Sequence, residues 1–156
     1  MLLGIDRQKK YYDTLINSQL QGFSVIFKER KMENKMIEVA RSLYTDIFDS
    51  GNCPAVDSHY HADAICHFNG RDLTIPSLKS SMCDFVEQHS DIKTTIETLI
   101  ASGDRTFARL SRDVTEKMSG RRRRITIMVE KRFVGEKIKE LWFMVDDEKC
   151  AAMWDR

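Results

Sequence analysis

Gly135-Glu136-Lys137-Ile138-Lys139-Glu140-Leu141-Trp142-Phe143-Met144-Val145-Asp146 is the stretch on which the fold turns. Gly135-Glu136 is a turn signal, and the residues after it read as a strand. Successive strand side chains point to opposite faces. Strict alternation therefore puts Ile138, Glu140, Trp142, Met144 and Asp146 on one face and Lys139, Leu141, Phe143 and Val145 on the other. Both faces are largely apolar, so both need cover. Helices of the same chain can cover one face; a partner chain is expected over the other, which predicts a homodimer.

Upstream the same period repeats. Ile92 to Ala101 and Thr106 to Val114 alternate, with Gly103-Asp104 as the turn between them, and Ile125 to Val134 is a β-branched run after Ser119-Gly120. Four strands on short turns make an antiparallel meander. Before them the period is helical. Met36, Val39, Ala40, Leu43, Tyr44, Ile47 and Phe48 form one stripe of a helix over 33–50, which Gly51 ends. A short second helix follows Asn52, then a strand over 64–68, a turn over 70–74 and a third helix from Pro76 to about His89. Helices first and strands later predict an α+β fold, with a curved antiparallel sheet wrapped around three helices.

Size and charge narrow the class. The chain has 156 residues, a hydrophobic fraction of 42% and a formal net charge of +1. That fits one domain with a real core and gives no electrostatic argument for nucleic acid or membrane. No segment has the apolar length of a signal peptide or a membrane span. Cys53, Cys66, Cys83 and Cys150 show no C-x-x-C pairing. A cytoplasmic protein with reduced thiols is expected. Residues 1–31 stand apart as an N-terminal extension, with the domain over 32–156. Two readings of the extension are open. Residues 6–20 fit a helix, because Tyr12, Leu15, Ile16 and Gln19 share a face. Alternatively translation begins at Met32, since Lys28, Glu29, Arg30 and Lys31 all have purine-only codons, as a translated ribosome-binding site would.

Several segments together resemble one family. After the first helix comes Y-H-A-D-A-I-C-H, with Tyr60, Asp63 and His67; then D-I-K-T-T-I-E-T-L-I-A-S-G-D-R over 91–105; then the closing strand with Gly135, Lys137, Ile138, Glu140, Trp142 and Asp146. In this order, over about residues 36–146, they are similar to SnoaL-like proteins of the nuclear transport factor 2-like superfamily. The resemblance implies a cone-shaped fold enclosing a pocket. In the polyketide cyclases of that family the closing-strand aspartate is the acid/base, which points to Asp146. Those cyclases also use a histidine on the preceding strand, and this chain has no histidine after His89. The related ketosteroid isomerases place their base near the end of the first strand, where this chain has His67 and Asn69, and use a helix tyrosine, to which Tyr44 is a loose analogue.

The resemblance therefore implies Asp146 and His67 as catalytic residues, with Tyr44, Tyr60, Glu140, Trp142 and Met144 around the substrate. Should the Glu140–Asp146 face line the pocket, burial would raise the Asp146 carboxyl toward the range useful for proton transfer. The competing reading has Glu140 paired with an arginine and Asp146 at a solvated strand end. Cys53, His59, His61, Cys66 and His67 cluster in sequence but match no zinc spacing, so no metal is expected. Arg121 to Arg124 opens a strand without interleaved aromatics, as a solvated hairpin end does, which argues against nucleic acid. Three functions remain. One is a cofactor-independent isomerase or cyclase acting on a small hydrophobic molecule; another is a non-catalytic binding or dimerisation module; the weakest is an anion or nucleic-acid binder through Arg121 to Arg124.

Overall fold

A computed structural model of the chain describes residues 3–146. Helix α1 runs Leu3–Ser42 and passes without a break into a π-helical segment, Leu43–Asp49. The two N-terminal helical readings therefore fuse into one rod. Its described side chains from Ser24 to Lys31 are exposed, and burial begins at Met36. The wider π turn carries Leu43, Tyr44 and Ile47 into the core. Gly51 then reverses the chain at φ 71°, as a helix-ending glycine does. A 3₁₀ turn (Cys53–Ala55) and one turn of helix α2 (Val56–His59) lead into the sheet.

Strand β1 is Tyr60–Phe68, and the expected turn after it is a short strand, β2, Arg71–Thr74. Helix α3 (Ile75–Gln88) starts where the Thr74 side chain accepts a hydrogen bond from Ser77 N–H. Its Ile75, Leu78, Met82 and Phe85 form one buried face. The long strands β3 (His89–Ser102), β4 (Arg105–Glu116), β5 (Arg122–Val134) and β6 (Lys137–Val145) make the antiparallel meander. The sheet order is β2-β1-β6-β5-β4-β3. β1 lies parallel to β6, so the sheet is mixed at that one junction, where an all-antiparallel sheet was expected. The α+β class and the curved sheet over the helices are as expected.

One irregularity decides which residues face the helices. Arg132 pairs with Glu140 and the next residue, Phe133, pairs with Ile138, so Lys139 is an extra residue on β6. A bulge of this kind shifts the side-chain phase by one. Ile138 stays inside and fully buried, but beyond the bulge the inward residues are Leu141, Phe143 and Val145. The expected grouping of Ile138 with Glu140, Trp142, Met144 and Asp146 is thus corrected: those four lie on the outer face.

Candidate functional site

The helices and the inner sheet face enclose a cavity of about 70 Å³. Its wall is apolar, with Leu78, Met82, Phe85, Leu110, Ile127 and Phe143 prominent. Four polar side chains interrupt that wall: Tyr44, Tyr60, Arg112 and Lys131. Each arrives there by strand or helix phase. Along β5, Ile125, Ile127, Val129, Lys131 and Phe133 are the buried, inward set; along β4, Thr106, Ala108, Leu110, Arg112 and Val114 are. Lys131 and Arg112 therefore occupy core positions in otherwise apolar rows, at 2% and 4% exposure. No carboxylate is among the described residues of this wall.

Lys131 Nζ hydrogen-bonds the Tyr44 hydroxyl and sits 4.0 Å from the centre of the Tyr44 ring. The ring favours a cation there by roughly 0.5–2 kcal/mol. Burying an ammonium costs several kcal/mol, which opposes that gain and disfavours the charged form. Burial, and then the Arg112 guanidinium, hold the Lys131 amine well below its ordinary range, against a smaller opposing pull from Cys66. Burial likewise pushes the Tyr44 hydroxyl up, with Arg112 opposing, and pushes Tyr60 up as well. Burial thus disfavours the charged form of both members of the pair.

Arg112 is held from the other side. Its guanidinium lies 3.8 Å from the centre of the Phe48 ring, and its Nε donates to Thr94 Oγ1 at 3.0 Å. Thr94 donates its own N–H and hydroxyl to the Asp49 carboxylate, at 3.0 and 2.7 Å. The π-helical turn thus supplies Tyr44, Phe48 and Asp49, and so positions both basic side chains of the cavity.

The residues expected from the sequence divide between the two faces. Tyr44 and Tyr60 line the cavity. His67, Glu140, Trp142 and Met144 gather on the outer face, around or beside an open groove of about 740 Å³. There His67 stacks on Trp142 at 4.9 Å and bonds Asp72 at 2.6 Å and Glu140 at 3.0 Å. Partial burial disfavours the charged ring, but the bonds to Glu140 and Asp72 outweigh it and raise the His67 pKa. The bonds from His67 and Arg132 lower that of Glu140. These groups satisfy one another. The groove is larger than the cavity, but its ionisable groups are partnered and partly solvated, whereas those of the cavity are desolvated.

Asp146 corrects the expectation most directly. It is exposed, and its Oδ1 accepts the Thr126 N–H at 2.7 Å while its own N–H donates to Thr126 O at 3.1 Å. It closes the β5–β6 ladder at the strand end, which was the competing reading. Lys131 and Arg112 were missed. The available signal was a charged residue in the inward phase of an apolar strand, visible as I-T-I-M-V-E-K-R-F over 125–133.

Arg124 makes a two-pronged pair with Asp113 at 2.9 and 3.0 Å, and Arg123 pairs with Glu116 at 3.1 Å. Among the described residues no three His, Cys, Asp or Glu side chains converge as a metal site would require, and no helix is long and apolar enough to cross a membrane. Cys150 lies outside the described residues.

Several solved structures share this architecture. AclR from Streptomyces galilaeus superposes with a TM-score of 0.70 at 14% identity, covering 79% of this chain and 97% of that one. A SnoaL-like polyketide cyclase from Agrobacterium tumefaciens gives 0.61 at 19% identity, over 75% and 94%. An M. tuberculosis LEH-like epoxide hydrolase gives 0.62 at 9% identity, over 73% and 84%. At these identities the likeness is one of fold. A comparison with curated proteins gives no significant match. The family model described as SnoaL-like polyketide cyclase matches residues 38–152, most of the chain. The chain belongs to the SnoaL-like polyketide cyclase family.

Proposed function

We propose that this chain is a cofactor-independent acid/base enzyme of the isomerase or cyclase type, acting on a small hydrophobic molecule whose polar end enters the cone. The observation that carries the reading is the Lys131–Tyr44 pair, an amine and a phenol hydrogen-bonded to each other in an apolar cavity. A neutral amine accepts a proton and a neutral phenol gives one. Arg112, on the same wall, offsets negative charge that develops on a substrate oxygen. In this reading Lys131 and Tyr44 take the acid/base role in place of Asp146 and His67, and Tyr60 and the apolar wall hold the substrate. An apolar cavity engineered to about 150 Å³ admits benzene, so about 70 Å³ takes only the reacting end unless Leu78 and the flexible Met82 give way.

The test is exchange of the α-protons of an apolar ketone in deuterated buffer, followed by proton NMR. Acceleration of about 10²-fold or more is in the range of general acid/base catalysis. Lys131→Met and Tyr44→Phe should each remove most of it. A wild-type protein that gives no acceleration with a panel of such ketones sets the reading aside in favour of a non-catalytic binding module.

The outer face favours a homodimer. Ile65, Ile100, Phe107, Met128 and Met144 are exposed there, the last two by 54% and 59%. Such a patch is costly to leave in water. Light scattering should give twice the monomer mass at micromolar concentration, and a monomer would refute this. The free thiols of Cys53, Cys66 and Cys83 fit a reducing, cytoplasmic setting.

A further inference from the structure

We infer that Lys131 is a nucleophile as well as a base, and that the cavity takes apolar aldehydes and ketones, which its amine captures as an imine. This rests on the proposed function for the site and adds the chemical class of the substrate. The geometry is the argument. Lys131 is buried to 2% exposure on a wall with no carboxylate among its described residues, so no counter-ion is at hand to hold the ammonium. Its one hydrogen-bonding partner in that wall is a phenol, which can deliver and recover a proton. Burial and the Arg112 guanidinium shift the Lys131 amine in the direction that frees its nitrogen lone pair. The groups that set its charge are Arg112, Cys66 and Tyr44, and burial pushes the Cys66 thiol up to about 12, so neither that thiol nor the phenol supplies an anion there.

The step balances without an outside redox partner. The Lys131 lone pair forms a C–N bond to the carbonyl carbon as the C=O π pair moves to oxygen. Tyr44 gives that oxygen its hydroxyl proton, and the tyrosinate recovers a proton from the nitrogen, which leaves a neutral carbinolamine. A second proton from Tyr44 lets the hydroxyl depart as water while the nitrogen lone pair forms C=N. The iminium N–H proton returns to Tyr44. The sum is amine plus carbonyl giving imine plus water. Re-protonation of the imine nitrogen by Tyr44 gives the iminium, which acidifies the α-carbon, as an isomerase or cyclase needs from its substrate.

The test uses the full-length protein with benzaldehyde and sodium cyanoborohydride at pH 7, read by intact mass and by peptide mapping. An exposed lysine of pKa about 10.4 is neutral roughly once in 2,500 molecules at pH 7. A neutral Lys131 therefore has up to about a 10³-fold advantage in amine availability over surface lysines. One benzyl group at Lys131, ahead of all other lysines, is the expected result. Tyr44→Phe keeps the amine and should slow labelling; Lys131→Met should abolish the early adduct. Labelling of Lys131 no faster than surface lysines overturns the inference. The ketone-exchange assay separates this from the acid/base reading: exchange that depends on Lys131 without any adduct leaves Lys131 a base only.

Discussion

Replacing Lys131 and its partner together, as Lys131→Met with Tyr44→Phe, should change how stability depends on pH. The double change avoids leaving a buried phenol unpaired, which by itself costs about 1–3 kcal/mol. Lys131 is lowered in the folded state by burial and by Arg112, while in the unfolded chain it titrates near 10.4. Between those two values the unfolded chain binds one more proton than the folded one. Unfolding free energy must then rise with pH, by up to about 1.4 kcal/mol per pH unit. The sign is the reverse of the usual lysine that gains an ion-pair partner. Below the folded value both states are protonated and the penalty is at its largest; above 10.4 it vanishes. For a chain of this length 1 kcal/mol moves Tm by roughly 2–4 °C. The double variant should therefore be more stable than wild type near neutrality, and the two should converge as pH rises. Urea titrations at half-unit steps from pH 7 to 9.5 read the difference, and other groups largely cancel in it. Curves that stay parallel across that range would mean a lysine charged in the fold, and both the base and the nucleophile would fall.

The other expectations follow from the outer face and the two ends. Asp146→Asn keeps an oxygen for the Thr126 N–H, so it should leave stability within about 0.5 kcal/mol and leave ketone exchange unchanged; loss of exchange would return Asp146 to the chemistry. A chain beginning at Met32 should fold with a Tm within a few degrees of the full chain, because the described side chains before it are exposed; insolubility would show the first part of α1 to be structural. Deleting Lys139 removes only the bulge residue and its pair with Asp63, so the protein should stay folded, whereas deleting Glu130 from the regular part of β5 throws half a strand out of phase and should unfold it; equal effects of the two would refute the assignment of phase.

The sheet and helices were legible because burial imposes its period on the sequence. The stripe from Met36 to Phe48 and the alternation of β3, β4 and β5 need no distant contact to be read. The parallel junction of β1 with β6 was not legible, because strand partners far apart in sequence leave no local mark. The site was harder for a specific reason. One extra residue, Lys139, inverts the phase of β6, and nothing in K-I-K-E-L-W announces it. Alternation counted from Ile138 therefore carried Glu140, Trp142, Met144 and Asp146 to the wrong side. Family likeness led in the same direction, since it named the closing-strand aspartate. Tyr44 and Tyr60 reached the cavity because their positions depend on the helix and on the start of β1, both before any bulge.

A lysine confined to a structural job would be a poor choice at position 131. The inward row of β5 is Ile125, Ile127, Val129 and Phe133, and an aliphatic side chain there would fill the space without desolvating an amine. Tyr44 loses little by the same comparison, since a phenylalanine would stack as well. Replacing the pair by apolar groups of similar shape removes two desolvated polar heads and one hydrogen bond, an exchange that is near neutral or stabilising in other proteins. On the proposed reading the fold keeps an arrangement that costs it stability at neutral pH. Arg112 deepens that cost, because a fixed cation on the same wall opposes protonation of Lys131. Phe48, Thr94 and Asp49 in turn hold that cation in place. A core under selection for packing alone has no use for a second charge that works against the first. A site that must keep an amine unprotonated does, and on this argument the proposed chemistry is assigned to the cavity and not to the larger groove outside.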